Sequence, residues 1–163
     1  MVNCGVMCQT TPEKTGSVSC AVFAGKHPRS LDPKKRLTVP SPWRNAIGAD
    51  GVVFVLPDPR GCLMLITQEE MSAKIQRFKN KALFDSELNA KLEAIASNSD
   101  QLSFDTQGRI RISDRLLKFA GIKTDVVMLS GFTNIEIWAA EKVAPVDEIN
   151  MDAYASAVKD LGF

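Results

Sequence analysis

The sequence predicts an α+β protein made of two β-rich units of about 45 residues each, joined by a helical connector and followed by a helical tail. Three observations carry this. The chain repeats itself at a shift of 73 residues, each copy holds short apolar runs of strand type, and the stretch between the copies has apolar residues at helical spacing. At 163 residues the chain can bury a core without disulfides or metal, but one copy alone cannot bury much. The two copies are therefore expected to pack together or interleave. The expected organisation is an arm over 1–21, a first unit over 22–67, a connector over 68–98, a second unit over 99–145 and a tail over 146–163.

The opening stretch "MVNCGVMCQTTPEKTGSVSC" is rich in Thr, Ser and Gly and lacks a basic region leading into an apolar one, so it reads as a flexible arm rather than a signal peptide. Cys4, Cys8, Cys20 and Cys62 form no disulfide framework, and one Cys-x3-Cys pair with a single His in the chain is a poor zinc signature. Reduced thiols in a cytoplasmic protein without metal or other cofactor are the expectation. The longest apolar runs, "GVVFVL" and "CLMLI", are far shorter than the roughly 20 residues a membrane helix needs.

The repeat maps Ser30 to Ser103, Asp32 to Asp105, Arg36 to Arg109, Gly48 to Gly121, Val53 to Val126 and Leu56 to Leu129 without a gap. Each copy opens with Asp-x-x-x-Arg. A short alternating strand follows, with Leu37 and Val39 or Ile110 and Ile112 on one face, and Arg36 and Thr38 or Arg109 and Arg111 on the other. If the aliphatic residues face the core, the arginines face out. Next come the helical segments "SPWRNAIGAD" and "SDRLLKFAGIKTD", each opening on Ser and closing near Gly. Two hairpins complete the copies: "GVVFVL" and "CLMLI" around "PDPRG", and "DVVMLS" and "IEIWAA" around "GFTN".

Between the copies, Thr67 and Glu70 make a capping-box start, and Met71, Ile75, Phe78 and Ala82 fall on one helical face. After a break near Asp85 and Ser86, Leu88, Leu92 and Ile95 continue the pattern. This stripe reads as packing surface. The final "NMDAYASAVKDLGF" is a short acidic helix that is expected to fold against a neighbour.

In the first copy Asp32 and Pro33 take the opening places of a type I turn, and in the second Asp105 starts and Gly108 closes the same kind of turn. A plain structural role would have each Asp and Arg simply bracket its turn as an exposed pair of little energetic weight. Charge argues for more. The net formal charge is only +1, yet Lys26, Arg29, Lys34, Lys35, Arg36 and Arg44 stand against Asp32 alone within 26–44, while six acids and two lysines occupy 136–163. A basic turn on a β scaffold suits phosphates, and an outward Arg suits the two acceptors of guanine in the major groove.

The stretches "LDPKKRLTVPSPWR" and "FDTQGRIRISDRLLKFAGI", with "VVMLSGFTNIEIW", resemble the MraZ family of bacterial transcriptional regulators, tandem members of the AbrB-like swapped-hairpin class. The resemblance spans roughly residues 22 to 145. It implies two tandem swapped-hairpin repeats forming one barrel-like unit with connecting helices, assembled into a homo-oligomeric ring. It also implies binding to short, tandem G-rich repeats in double-stranded promoter DNA upstream of the division and cell-wall gene cluster, in the cytoplasm at the nucleoid. The family's contact residues fall on Lys34, Arg36 and Arg109, with Asp32 and Asp105 as supports. With the local charge included, the candidate DNA contacts are Lys26, Arg29, Lys34, Lys35, Arg36, Gln107 and Arg109, and Asp32, Asp105 and Gly108 support the turns.

Three features depart from the family pattern. Lys35 stands where the first motif usually has Gly, Ser113 stands where the second usually has Pro, and about 21 residues precede the usual start. If position 35 needs positive φ, the lysine costs on the order of 1 to 2 kcal/mol and the first turn could change shape. The alternative function is an oligomeric interaction scaffold or antitoxin-like partner whose hairpins meet another protein. Neither a membrane role nor a small-molecule substrate is expected. An enzyme is not expected either, because the chain has no phosphate loop, no metal-ligand cluster and no nucleophile with an evident base; His27 beside Pro28 reads as a surface loop residue, and Glu69 and Glu70 as a helix start.

Overall fold

The computed structural model describes residues 21–48, 51–82, 85–145 and 148–162. Apart from Ala21, the expected arm lies outside the described residues, and Cys4, Cys8 and Cys20 lie there with it. The first copy supplies β1 (Lys26–Ser30), β2 (Arg36–Thr38), α1 (Ser41–Ile47), β3 (Val52–Asp58) and β4 (Cys62–Thr67). The helices α2 (Gln68–Ala82) and α3 (Ser86–Ser97) follow. The second copy supplies β5 (Asp100–Ser103), β6 (Arg109–Arg111), α4 (Asp114–Ala120), β7 (Asp125–Ser130) and β8 (Ile135–Ala139), and α5 (Met151–Leu161) closes the chain. The α+β class read from the sequence is the class observed.

The repeat is written into the topology. A six-stranded antiparallel sheet runs β1-β7-β8-β4-β3-β5, which is symmetric about its central pair once each strand is replaced by its counterpart in the other copy. Both outer strands pair across copies: β1 of the first lies on β7 of the second, and β5 of the second lies on β3 of the first. The registers obey the same shift of 73, because Arg29 faces Val126 in one pairing and Leu102 faces Val53 in the other. Separately, β2 and β6 form a two-stranded ribbon with Leu37 opposite Ile110. These two residues are each other's repeat equivalents, so the pseudo-twofold axis passes through their pair.

Leu37, Val39, Ile110 and Ile112 are all buried, with Val53, Val55, Leu63, Leu65, Ile135 and Ile137 from the central strands. Two short helices cap this core. In α1, which starts on Ser41-Pro42, Trp43 and Ile47 face inward, and the Trp43 indole N–H donates to the Ala24 carbonyl at 3.0 Å. In α4, Leu116, Leu117 and Ala120 are buried, and Gly121 ends the helix in the left-handed conformation. Cys62 lies fully buried in β4, and its thiol is pushed up to about 11, mainly by burial and then by the carboxylates of Asp58 and Glu136.

Two expectations need correction. Strands β1 ("KHPRS") and β5 ("DQLS") carry no apolar alternation, so the sequence did not reveal them and His27 was expected in a loop. They are edge strands, held by backbone pairing, and an edge is where Pro28 is tolerated. The His27 ring is not free on the surface either: it sits edge-on to the Trp43 indole, 4.8 Å between centroids. Desolvation first, and then the nearby Arg29 charge, lowers its pKa.

The connector starts and breaks where expected. Thr67 Oγ1 accepts the Glu70 N–H at 3.2 Å, and Asp85 Oδ1 accepts the N–H groups of Glu87 and Leu88 at 3.0 Å. Its apolar stripe, however, is only partly packed: Met71 and Leu92 are half-buried, whereas Ile75, Phe78 and Ile95 are 46%, 42% and 52% exposed. No helix among the described residues is long and apolar enough to cross a membrane.

Because Leu37 and Ile110 fill the axis of the ribbon with no exposed surface, Leu37→Ala or Ile110→Ala should each destabilise the fold by about 2 to 5 kcal/mol in denaturant titrations. Thr38→Ala, on the opposite face, should change stability by less than about 0.5 kcal/mol.

Candidate nucleic-acid interface

The β2–β6 ribbon turns its aliphatic side into the core, so Arg36, Thr38, Arg109 and Arg111 occupy the other side. The two Asp-x-x-x-Arg turns lead into this ribbon, and their hydrogen bonds are copies of each other. Asp32 Oδ1 accepts the N–H groups of Lys34 and Arg36, both at 2.9 Å, while Oδ2 accepts Arg36 Nε at 2.6 Å. Asp105 Oδ1 accepts the N–H groups of Gln107 and Arg109, both at 2.9 Å, while Oδ2 accepts Arg109 Nε at 2.8 Å. Each turn is closed by a backbone bond, Lys35 N–H to Asp32 O and Gly108 N–H to Asp105 O, both 2.9 Å.

The fourth residue of each turn has positive φ, 61° at Lys35 and 73° at Gly108. The lysine therefore adopts the conformation a glycine would take, and the first turn keeps the shape of the second. Lys35 O then accepts the Ile112 N–H and Gly108 O accepts the Val39 N–H, both at 3.2 Å, locking each turn to the other copy's strand. The two positions differ in what lies above them. A Cβ at Gly108 would overlap the Arg44 guanidinium, whereas the repeat equivalent of Arg44 is Leu117, a buried core residue. Both positions take the left-handed conformation that favours glycine, and at 108 a side chain would also have to displace the Arg44 guanidinium.

The turns stand side by side. Arg36 Nη1 lies 3.8 Å from Asp105 Oδ2, and Arg109 Nη1 lies 3.8 Å from Asp32 Oδ2. With Nε committed to its own aspartate, each guanidinium has a fixed plane and two terminal nitrogens with no protein acceptor at hydrogen-bond distance among the described residues. Lys34 and Gln107 are exposed at the turn tips, Arg111 is exposed on the ribbon, and Arg44 reaches over Gly108 while donating to Ser41 Oγ at 2.8 Å. Six cations, Lys34, Lys35, Arg36, Arg44, Arg109 and Arg111, thus surround two carboxylates. Sequence reading assigned no contact to Arg111 or Arg44; the outward parity of the first was its available signal.

Lys26 departs from expectation, since its ammonium donates to the carbonyls of Ala144 and Pro145 at 3.0 and 2.9 Å and ties β1 to the chain beyond β8. Arg29, also on β1, donates to the Pro28 carbonyl at 2.8 Å and lines a surface cavity with Asp125 and Val143. The turns bring Lys34, Lys35, Arg36, Gln107 and Arg109 together, and leave Lys26 and Arg29 on the sheet edge.

The geometry defines a tandem-repeat α+β protein with exchanged edge strands and two aspartate-braced arginine turns on one face. Residues 95–142 match the family described as "MraZ protein, putative antitoxin-like". The chain is 29% identical over 143 residues to the protein named transcriptional regulator MraZ of Clostridium tetani, covering 86% of this chain and 99% of that one. It is 30% identical over 143 residues to the protein of that name from Clostridium beijerinckii, with the same coverage. The Mesoplasma florum protein of that name is 34% identical over 117 residues, 72% of this chain and 80% of that one. The chain belongs to the MraZ family.

Both carboxyls are held below the ordinary carboxylate range. At Asp32, desolvation is the largest influence and acts upward, but the Arg36 N–H and guanidinium with the Lys34 N–H together outweigh it; at Asp105 the Arg109 N–H leads, against a smaller desolvation. Groups depressed in this way support the fold above their unfolded pKa and lose that support as pH falls through the lower folded value. The amide resonances of Arg36 and Arg109 should therefore keep their positions as pH falls through about 4 and move only in stronger acid; a transition centred at or above about 4 would contradict this geometry. In a second test, Lys35→Gly should leave stability unchanged or raise it by up to about 1 kcal/mol, strain relief being partly offset by chain entropy. Gly108→Lys should destabilise by more than Lys35→Gly changes anything, as read by thermal unfolding of both variants.

Proposed function

We propose that the chain is a sequence-specific DNA-binding regulator of transcription and that the paired turns are its reading surface. The observation that carries this is the pair of guanidinium forks, each oriented by an aspartate and left open outward. A planar fork matches the O6 and N7 acceptors of guanine in the major groove, and the surrounding lysines and arginines suit the phosphates on either side. In this reading Arg36 and Arg109 make base contacts, Lys34, Lys35 and Gln107 contact the backbone or adjacent bases, and Asp32, Asp105 and Gly108 hold the turns.

The two forks are adjacent, so one chain presents a single reading head suited to one short G-rich repeat. Tandem repeats in a promoter, those upstream of the division and cell-wall genes in the reading from family resemblance, are then met by successive copies of the chain in a ring. Linking weak heads raises the effective concentration of every contact after the first. The site of action is the nucleoid. The family description also supports a second reading, an antitoxin-like scaffold for a protein partner. Nucleic acid that co-purifies and is released by salt favours the first reading, and a stoichiometric protein partner the second.

Selection of bound duplexes from a random pool should return G-rich repeats, and the affinity should fall steeply with salt. Arg36→Ala or Arg109→Ala should nearly abolish binding to the selected repeats in gel shifts while leaving the circular dichroism spectrum unchanged. Arg36→Lys, which keeps the charge but loses the fork, should relax discrimination by about 1 to 3 kcal/mol at one base pair. Wild-type affinity in both alanine variants would overturn the assignment.

A further inference from the structure

The pseudo-twofold axis relates the two halves of the ribbon face, and it also shows where they differ. The cations nearest the left-handed residues balance, because Lys35 carries one on its own turn and Arg44 lies over Gly108 of the other. Arg44 is fixed in that place: Nη2 donates to Ser41 Oγ at 2.8 Å, and Nε is buried with no acceptor among the described residues. Two other differences are not balanced. Lys34 at the first turn tip is matched by Gln107 at the second, and Thr38 of β2 is matched by Arg111 of β6.

Antiparallel pairing puts both extra cations on one side. Arg111 lies directly opposite Arg36, and the N–H of the next residue, Ile112, donates to Lys35 O at 3.2 Å, so Arg111 abuts the first turn. Thr38 lies directly opposite Arg109, and the Val39 N–H donates to Gly108 O at 3.2 Å, so Thr38 abuts the second. The first half thus gathers Lys34, Lys35, Arg36 and Arg111 against Asp32. The second has Arg109 and Arg44 against Asp105, and exposes two uncharged groups, Gln107 and Thr38. This division works against the fold. Like charges directly opposite each other on paired strands repel, and no ion pair among the described residues includes Arg111. Threonine at both equivalent places would serve folding better, whereas an anion bound beside the first turn converts the repulsion into a grip.

We propose that the face is directional: Lys34 and Arg111 anchor its first half to phosphates, while Gln107 and Thr38 let its second half read base pairs beside the guanines. The assignment rests on the DNA-reading function proposed above and deepens it by giving the two halves different work. A cation on a phosphate holds every sequence alike and adds to the salt dependence. A glutamine amide pairs with N6 and N7 of adenine, and a threonine methyl packs on the methyl of thymine, so the second half carries sequence information beyond the two forks. A G-rich repeat is not palindromic. A head with equal halves would not distinguish it from the same repeat reversed, and unequal halves seat the chain on it in one orientation.

The test uses full-length protein, duplexes carrying one selected repeat, and an unrelated duplex of the same length. Arg111→Thr, which installs the residue of the other half, should weaken binding to both duplexes alike and lower the slope of log affinity against log salt by about 1. Adding Lys34→Gln should lower it by about 2 in all, with preference among base pairs retained. In the wild type, base-pair changes on one flank of the guanines should weaken binding at least about fivefold and changes on the other flank should not. Gln107→Ala should erase that difference between flanks and leave the salt slope unchanged. In the reverse design, Thr38→Arg with Gln107→Lys should tighten binding to the unrelated duplex and steepen the slope. Equal sensitivity on both flanks in the wild type, an unchanged slope in Arg111→Thr, or a flank difference that survives Gln107→Ala would each overturn the directional assignment alone. A wild type that binds the selected and unrelated duplexes equally would overturn the regulator reading, and this assignment with it.

Discussion

The candidate surface depends on one arrangement used twice: an aspartate that accepts two backbone N–H groups with one oxygen and an arginine Nε with the other. The backbone bonds fix the turn, and the Nε bond fixes the plane of the guanidinium. An unbraced arginine would have to surrender several rotatable bonds on meeting a ligand. Here much of that ordering is complete before contact, and preorganisation of this kind turns a polar contact into a selective one. The aspartate partly neutralises its arginine, and the unpaired cations nearby restore the positive field.

The second constraint is the axis through Leu37 and Ile110. A single buried pair that is its own repeat equivalent forces everything beyond it into matched places, and the outer strands then exchange with the same register on both sides. Exchange is what makes units of this size viable, since each copy completes the other's sheet and neither need bury a core alone. It also places the two turns within salt-bridge reach across the axis. The paired-turn face is a product of the exchange, because neither copy by itself would bring Arg36 to Asp105.

Much of this was legible in the sequence, and the parts that were not share a cause. The shift of 73, the β3–β4 and β7–β8 hairpins, the capped connector and the outward parity of Arg36 and Arg109 are local patterns, readable from spacing and turn chemistry. Strands β1 and β5 are polar edges whose only reason to be extended is a partner strand distant in sequence, about 100 residues away for β1 and about 50 for β5. Lys26 looked like part of a basic patch because composition does not show that its ammonium is spent on two carbonyls beyond β8. Arg44 over Gly108 is likewise a tertiary fact, and it gives the second turn a further reason to favour glycine.

Lys35 shows how the symmetry is broken without being lost. Its positive φ is strained for a side-chain-bearing residue, and the turn nevertheless keeps the hydrogen bonds repeated in the second copy. Over Gly108 the equivalent space is filled by a guanidinium, so both turns carry a cation close to the left-handed residue: one on that residue itself, the other reaching over from α1. The first turn accepts backbone strain to place its charge, and the second borrows Arg44 and keeps the glycine. A near-symmetric charge is thus achieved by two unrelated routes.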